Sequence, residues 1–289
     1  MNLFSRFKMS KPGNRSANYS RPRWVNMKAE DDAEEAINGI DVDFDRLRAR
    51  GLITHESIDE PLGREFSLIK RRLLRRLDYY NHNKQGRHQG EVERSPLLLF
   101  TSSKPGEGKT FSACNLALGL ALEEQMKVLL VDADLAKPSV PEIFDYPEDQ
   151  PGLFDCLKDP AHKVGNDLLK LVGTNLTVLP AGWATRSPAD LLGSKTMLRI
   201  LDQISFGAQA FDFIVIDGPP LLATTEASIL ANYADEVLLV VGAGDVTTAQ
   251  IQSSIDMLGV RDKTSLMINH MPIGEPLPTE YGYYGRPAA

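Results

Sequence analysis

The chain has 289 residues, of which 42% are hydrophobic and 25% charged, an ordinary globular balance that excludes a fibrous or wholly disordered protein and suits one large domain or two small ones. Its longest apolar runs are about five residues, 237–241 among them, far short of the ~20 that cross a bilayer. Two cysteines, Cys114 and Cys156, exclude a disulfide framework and suit a reducing, cytoplasmic compartment. The net charge of −7 is uneven: residues 1–95 carry 19 Lys/Arg and 15 Asp/Glu, a net of +4, whereas residues 96–289 carry 13 and 24, a net of −11.

In chain order, the first 29 residues hold seven basic side chains and no acid before Glu30. No apolar stretch follows that basic start, so it is not a secretory signal. It reads as a solvated tail or as a segment drawn to an acidic surface. An acidic patch (Glu30, Asp31, Asp32, Glu34, Glu35) leads into a short helical stretch from Ile40 that ends near Gly51, and residues 1–60 together form a partly disordered extension. Phe66, Ile69, Leu73, Leu74 and Leu77 recur at a helical period over 65–80, with Lys70, Arg71, Arg72, Arg75 and Arg76 on the other face. That helix is either a packing element with a wet basic face or a contact for a partner. Residues 81–95 are polar, contain two glycines and read as a linker, so 61–95 form a helix-and-linker unit.

After Pro96 apolar strand-like runs appear at 97–101, 128–132, 176–179, 213–217, 237–241 and 266–269, with helical stretches between most of them; 109–125 is the clearest. This alternation predicts an α/β fold, a doubly wound, mostly parallel sheet over 96–275 with a helical N-terminal extension before it and a tail at 276–289. In such sheets ligands bind beyond the carboxyl ends of the strands. The residues that follow the strands are therefore the informative ones.

Ser103, Lys104, Pro105, Gly106, Glu107, Gly108, Lys109 and Thr110, followed by Phe111, lie between the first of these strands and its helix. They fit the phosphate loop GxxxxGK[ST], with Ser103 in place of the first glycine. Gly106 and Gly108 let backbone N–H groups turn toward phosphate oxygens, and the helix N-terminus adds partial positive charge. Lys109 reaches the β/γ-phosphates, and the Thr110 hydroxyl is a Mg²⁺ ligand. Lys104 marks the deviant Walker A branch of these P-loop NTPases, in which that lysine reaches a nucleotide bound to a neighbouring subunit. Asp132 and Asp134 end the next strand two residues apart, so both carboxylates can face one site, holding metal or accepting a proton from an attacking hydroxyl. Asp217 follows four apolar residues, the Walker B pattern of a carboxylate beside the metal. Lys109, Asp132, Asp134 and Asp217 are the candidate catalytic residues, and Thr110, Asp132 and Asp217 the candidate metal ligands.

These motifs together resemble the bacterial tyrosine kinases of exopolysaccharide loci, over about residues 60–289. The resemblance rests on the phosphate loop, on Asp132-x-Asp134-x-x-Lys137-Pro138, on the Ile216–Pro220 segment, and on Leu179–Gly182 followed by Ser187–Leu192. It implies ATP and Mg²⁺ as cofactors and places Asn269 at the adenine edge. It also makes Tyr281, Tyr283 and Tyr284, within the last nine residues, the autophosphorylation sites. Each phosphate adds ~1.5–2 negative charges and should repel the tail from an acidic domain. Residues 40–74 further resemble the stand-alone autokinases linked to exosortase loci. Those carry a Glu-x-x-Arg-x-x-Arg/Lys assembly pattern, which here reads Arg64, Ser67, Lys70 or Glu65, Leu68, Arg71, incomplete in both registers. Implied partners are a second copy of the chain, a membrane-embedded polysaccharide co-polymerase or activator at the inner face of the cell membrane, and a cognate tyrosine phosphatase, with no nucleic acid. The alternative from another class is a positioning or partitioning ATPase, a nucleotide-dependent dimer switch that shares Lys104 and Asp217. The tyrosine tail argues against it.

Overall fold

A computed structural model of the chain describes residues 24–26, 38–77, 94–123, 126–183, 189–206 and 211–271. Among the described residues nine strands form one sheet: β1 (Trp24–Asn26), β2 (Asn38–Ile40), β3 (Leu97–Ser102), β4 (Val128–Asp132), β5 (Leu169–Leu171), β6 (Leu176–Leu179), β7 (Phe213–Asp217), β8 (Glu236–Gly242) and β9 (Thr264–Asn269). Their order is β1-β2-β5-β6-β4-β7-β3-β8-β9. The β1–β2 and β5–β6 pairs are antiparallel and all the others parallel. All six strands expected from the sequence are present. The additional ones, β1, β2 and β5, are three residues each, too short to show a period.

The helices are α1 (Phe44–Ala49), α2 (Pro61–Arg76), α3 (Lys109–Glu123), α4 (Val140–Phe144), α5 (Leu153–Lys158), α6 (Ala189–Leu192), α7 (Lys195–Phe206), α8 (Glu226–Tyr233) and α9 (Thr248–Leu258). Their ends follow local chemistry. Asp43 caps α1 by accepting from the Arg46 N–H, and Pro61 opens α2 where no N–H is needed. Thr247 and Gln250 form a capping box on α9, which Gly259 stops in the left-handed conformation, φ 69°.

Strand residues alternate strictly between two cores. Leu98, Phe100, Leu130, Val215 and Val240 face the side covered by α2 and α3, while Leu99, Val131, Ile214, Ile216 and Leu239 face the side of α5, α7, α8 and α9. A two-residue side-chain period on a sheet buried on both faces produces these runs. Helix α3 is apolar nearly all round, because a second layer covers its outer side. That layer includes Ile40, Val42, Leu47, Leu52, Ile53, Phe66, Leu73 and Leu74, all in one cluster with α3. The boundary drawn at residue 60 is therefore not a break in packing: the segment that follows β2, residues 41–77, packs as one layer with it, each large apolar side chain adding about 1.5–3 kcal/mol when fully buried. Residues 1–23, 27–37 and 78–93 lie outside the described residues, as does the tail from 272.

Lys70 departs from its expected place. It is 2% exposed, on the buried side of α2. Four residues after Phe66 and three or four before Leu73 and Leu74, it falls on their face. Arg71, Arg72, Arg75 and Arg76 are exposed.

The basic front third also has acidic counterparts within its own chain. Arg46 and Arg50 both pair with Asp145, Arg76 with Glu236, and Arg94 with Asp235. Among the described residues, no helix is long and apolar enough to cross a membrane.

Candidate active site

Strand order brings the motifs together. Chain neighbours β3 and β4 do not pair; β7 lies between them, aligning Asp132 with Asp217 and Phe100 with Asp217. Both aspartates and the start of the phosphate loop therefore reach the same edge of the sheet. The turn after β7 is tied to β3: Gly218 N–H donates to the Phe100 carbonyl at 2.8 Å, Leu221 N–H to that of Ser102 at 2.8 Å, and the Thr101 hydroxyl to that of Pro219 at 2.7 Å.

The loop takes the shape its glycines permit, with φ of 89° at Gly106 and 86° at Gly108. Ser103 is fully buried and its hydroxyl accepts from Ser254 of α9 at 2.8 Å, which gives the missing first glycine a packing role. Glu107 is buried and holds the loop closed: Oε2 accepts from the Lys104 N–H at 2.6 Å and Oε1 from the Gly242 N–H at 3.0 Å. Pro105 is exposed at the turn, and Phe111 packs half-buried against the core. Lys104 Nζ donates to the Asp245 carbonyl at 3.1 Å, beside the loop after β8.

Charge gathers at the start of α3. Lys109 Nζ lies 2.8 Å from Asp134 Oδ2 and 3.6 Å from Asp217 Oδ1, and it donates to Thr110 Oγ1 at 3.2 Å. Thr110 Oγ1 donates to Asp217 Oδ2 at 2.6 Å. Asp132 is fully buried, with Oδ1 accepting from the Asp134 N–H and Oδ2 from the Val140 N–H, both at 3.3 Å. Burial pushes the Asp217 carboxyl up to about 6, against the pull of Lys109 and Thr110. Burial and then the Asp217 charge push Asp132 well above the usual carboxylate range. Burial opposes the Lys109 charge, but Asp217, Asp134 and Asp132 outweigh it and hold its pKa above the ordinary lysine value.

This donor set fits a hard divalent cation. Asp217 Oδ1 is buried and accepts no hydrogen bond, and it belongs to the carboxylate that Thr110 Oγ1 contacts. Oxygen donors without sulfur or imidazole suit Mg²⁺. Thr110 and Asp217 could hold the ion, with Asp132 aligned beside Asp217 by the β4–β7 register.

Asn269, at the end of β9, donates from Nδ2 to the Glu107 carbonyl at 3.0 Å, so its side chain rests on the phosphate loop. A Cβ on Gly108 would lie 2.2 Å from that Nδ2, so the Asn269 side chain would have to give way, and the positive φ of 86° already favours glycine there. Sequence reasoning missed two neighbours. His270 (φ 58°) places Nδ1 3.4 Å from Asp245 Oδ2, on the same rim. Asn115 accepts the Ile53 N–H at 2.8 Å and donates to the Phe111 carbonyl at 3.1 Å, linking the N-terminal layer to the phosphate-loop helix. A buried asparagine inside an apolar helix was the available signal. Tyr281, Tyr283 and Tyr284 lie outside the described residues.

Comparison with known proteins gives the family. The family model ParA, described as the NUBPL iron-transfer P-loop NTPase, matches residues 94–271. The chain is 35% identical over 195 residues to the tyrosine-protein kinase YwqD of Bacillus subtilis (strain 168), covering 65% of this chain and 77% of that protein. It is 30% identical over 190 residues to CapB of Staphylococcus aureus, named a putative tyrosine-protein kinase, covering 65% and 80%. Among solved structures it is similar in fold to the chimerical protein CapA2B2, with a TM-score of 0.62 at 24% identity over 77% of this chain and 91% of that one. By the family match over 94–271 and its likeness to these kinases, the chain belongs to the ParA-type P-loop NTPases and, within them, to the bacterial tyrosine kinases.

Proposed function

We propose that this chain is an ATP- and Mg²⁺-dependent protein-tyrosine autokinase that phosphorylates Tyr281, Tyr283 and Tyr284 of a second copy and thereby regulates exopolysaccharide synthesis or export. One observation carries the proposal: Lys109, Thr110, Asp134 and Asp217 are linked by direct contacts at the loop, with Asp132 in register beside Asp217. Phosphoryl transfer needs positioning and charge neutralisation more than covalent chemistry. The backbone N–H groups of 106–110 cradle the phosphates while Glu107 keeps the loop shut. Lys109 moves from Asp134 onto the β/γ-phosphates, which frees that carboxylate. Thr110 and Asp217, with Asp132 beside them, would hold Mg²⁺, which when bound would supply neutralisation of phosphate charge. The tyrosine oxygen attacks the γ-phosphorus, the bond from the γ-phosphorus to the β–γ bridging oxygen breaks, and ADP leaves with that electron pair. The tyrosine proton passes to Asp132 or Asp134. Asn269 borders the base, and Lys104 reaches toward a neighbour's nucleotide.

The proposed partners are a second copy of the chain and a membrane-embedded polysaccharide co-polymerase that recruits it to the inner face of the membrane, with a tyrosine phosphatase reversing the reaction. The ParA family match is the observation behind the second candidate, a dimeric ATPase switch. Incubation of the full chain with labelled Mg·ATP and phosphopeptide mapping separates the two. Label on the tail tyrosines, lost in Lys109→Met, is the expected result. Phosphate release with no labelled protein overturns the kinase in favour of the switch.

A further inference from the structure

Away from the phosphate loop, three side chains of metal-binding type converge on one point. Cys156 lies on α5, His162 on the loop after it, and Asp167 at the end of the 3₁₀ turn Val164–Asp167. One ligand atom from each lies within 4.8 Å of the other two. Cys156 Sγ is 3.3 Å and His162 Nε2 2.7 Å from the same oxygen, Asp167 Oδ2. We propose that Cys156, His162 and Asp167 form a binding site for a zinc-class divalent cation, distinct from the Mg²⁺ position at Thr110 and Asp217.

The donor chemistry favours that class. Thiolate, imidazole and carboxylate together match the ligands of Zn²⁺, whereas Mg²⁺ takes oxygen alone. The spacing is close to what a tetrahedral ion needs. With metal–ligand lengths of about 2.3 Å to sulfur and about 2.0–2.1 Å to nitrogen and oxygen, ligand atoms stand about 3.4–3.5 Å apart. The Cys156–Asp167 separation already meets this, and the His162–Asp167 hydrogen bond must open by about 0.7 Å. Three protein ligands leave a fourth position for water.

The surroundings hold the donors in place and leave an entrance. Helix α5 is anchored by Leu153 and Phe154 N–H bonds to the Pro180 and Ala181 carbonyls, at 2.8 and 2.9 Å. The loop is pinned by Ala161 N–H to Asp159 Oδ1 at 2.9 Å and by His162 N–H to the Asp159 carbonyl at 3.0 Å. The Asp167 side chain is 3% exposed and that of His162 28%, so the imidazole forms the solvent side. Burial, with Asp167 and Asp155 nearby, raises the Cys156 pKa and disfavours its thiolate when no cation is there. Binding therefore proceeds as thiol plus M²⁺ to metal thiolate plus H⁺, the proton leaving to solvent, while His162 carries its own proton on Nδ1 and presents Nε2 to the metal.

The test uses the full chain, stripped with chelator under reducing conditions and titrated with Co²⁺ and then Zn²⁺. One equivalent of Co²⁺ should produce a thiolate-to-cobalt charge-transfer band, which Zn²⁺ abolishes by displacement. Co²⁺ at Thr110 and Asp217 has oxygen ligands and gives no such band. His162→Ala, at a partly exposed position, should weaken binding by at least about 100-fold, beyond the usual loss of an outer-shell partner. Cys114→Ser should keep the band. Absence of the band in the folded chain, its persistence in His162→Ala or its loss in Cys114→Ser overturns the proposal and leaves a hydrogen-bonded trio only.

Discussion

Two regions of this molecule join acids to bases in different surroundings. Under the phosphate loop, Lys109 faces three aspartates at sites with side-chain exposure of 10% or less. Along the N-terminal layer, Arg48 bridges Glu56 and Glu60 with both partners largely in water. Contacts of the first kind shift proton affinities and leave a costly unpaired charge when broken, whereas those of the second are screened and offset by side-chain entropy. The Arg76–Glu236 pair lies between, an exposed guanidinium on a carboxylate 2% exposed. Burial, more than the identity of the pair, sets what each contact does.

The largest expected effect comes from removing the buried cation. Lys109→Met should lower tyrosine phosphorylation by about 10²–10³-fold or more, the range for losing a group that stabilises transition-state charge. Initial rates with labelled ATP measure it, and a loss under tenfold would place Lys109 outside the chemistry.

Proton linkage at Asp217 comes next. Its carboxyl stands at about 6 in the folded chain against an ordinary 3.8, so the folded state holds the proton more tightly than the unfolded one. Without nucleotide and Mg²⁺, stability should therefore rise as pH falls from 8 through 6 toward 5, by about 1–1.5 kcal/mol from this group, the full ~3 kcal/mol being reached only below the unfolded value of 3.8. Asp132, also raised, acts in the same direction. Melting curves across that range should show a Tm higher at pH 5.5 than at pH 8, with the slope reduced in Asp217→Asn. Saturation with Mg·ATP, which keeps the carboxylates ionised, should flatten it as well.

Arg76→Ala tests the intermediate case. It leaves Glu236 with Ser265 as its remaining side-chain donor and frees the Asp262 carbonyl, at a cost of about 1–3 kcal/mol by denaturant unfolding. Adding Glu236→Gln should recover most of that loss, because the buried charge is then gone. Arg48→Ala is the smallest change: its two glutamates are exposed, and no resolvable shift in Tm is expected. A larger loss for Arg48→Ala than for Arg76→Ala would reverse the ranking by burial.

By itself the amino-acid sequence determined the six main strands, helix α3, the phosphate loop and the positions of Asp132, Asp134 and Asp217. These are local signals: a two-residue period buried on both faces, a helical period, and glycines at fixed offsets from Lys109. The three-residue strands β1, β2 and β5 carry no such period. Other outcomes depended on strand order, which places β7 between β3 and β4 and joins residues far apart in the chain. Through it Lys109 meets Asp134 and Asp217, Glu107 meets Gly242, and residues 41–77 cover α3 through Ile53 and Asn115. Tertiary packing also decided that Lys70 is buried, that Asn269 rests on the Glu107 carbonyl, and that Cys156, His162 and Asp167 share one carboxylate oxygen. A sequence motif specifies which groups are present; burial and the distance between them exist only once the sheet has brought distant segments together.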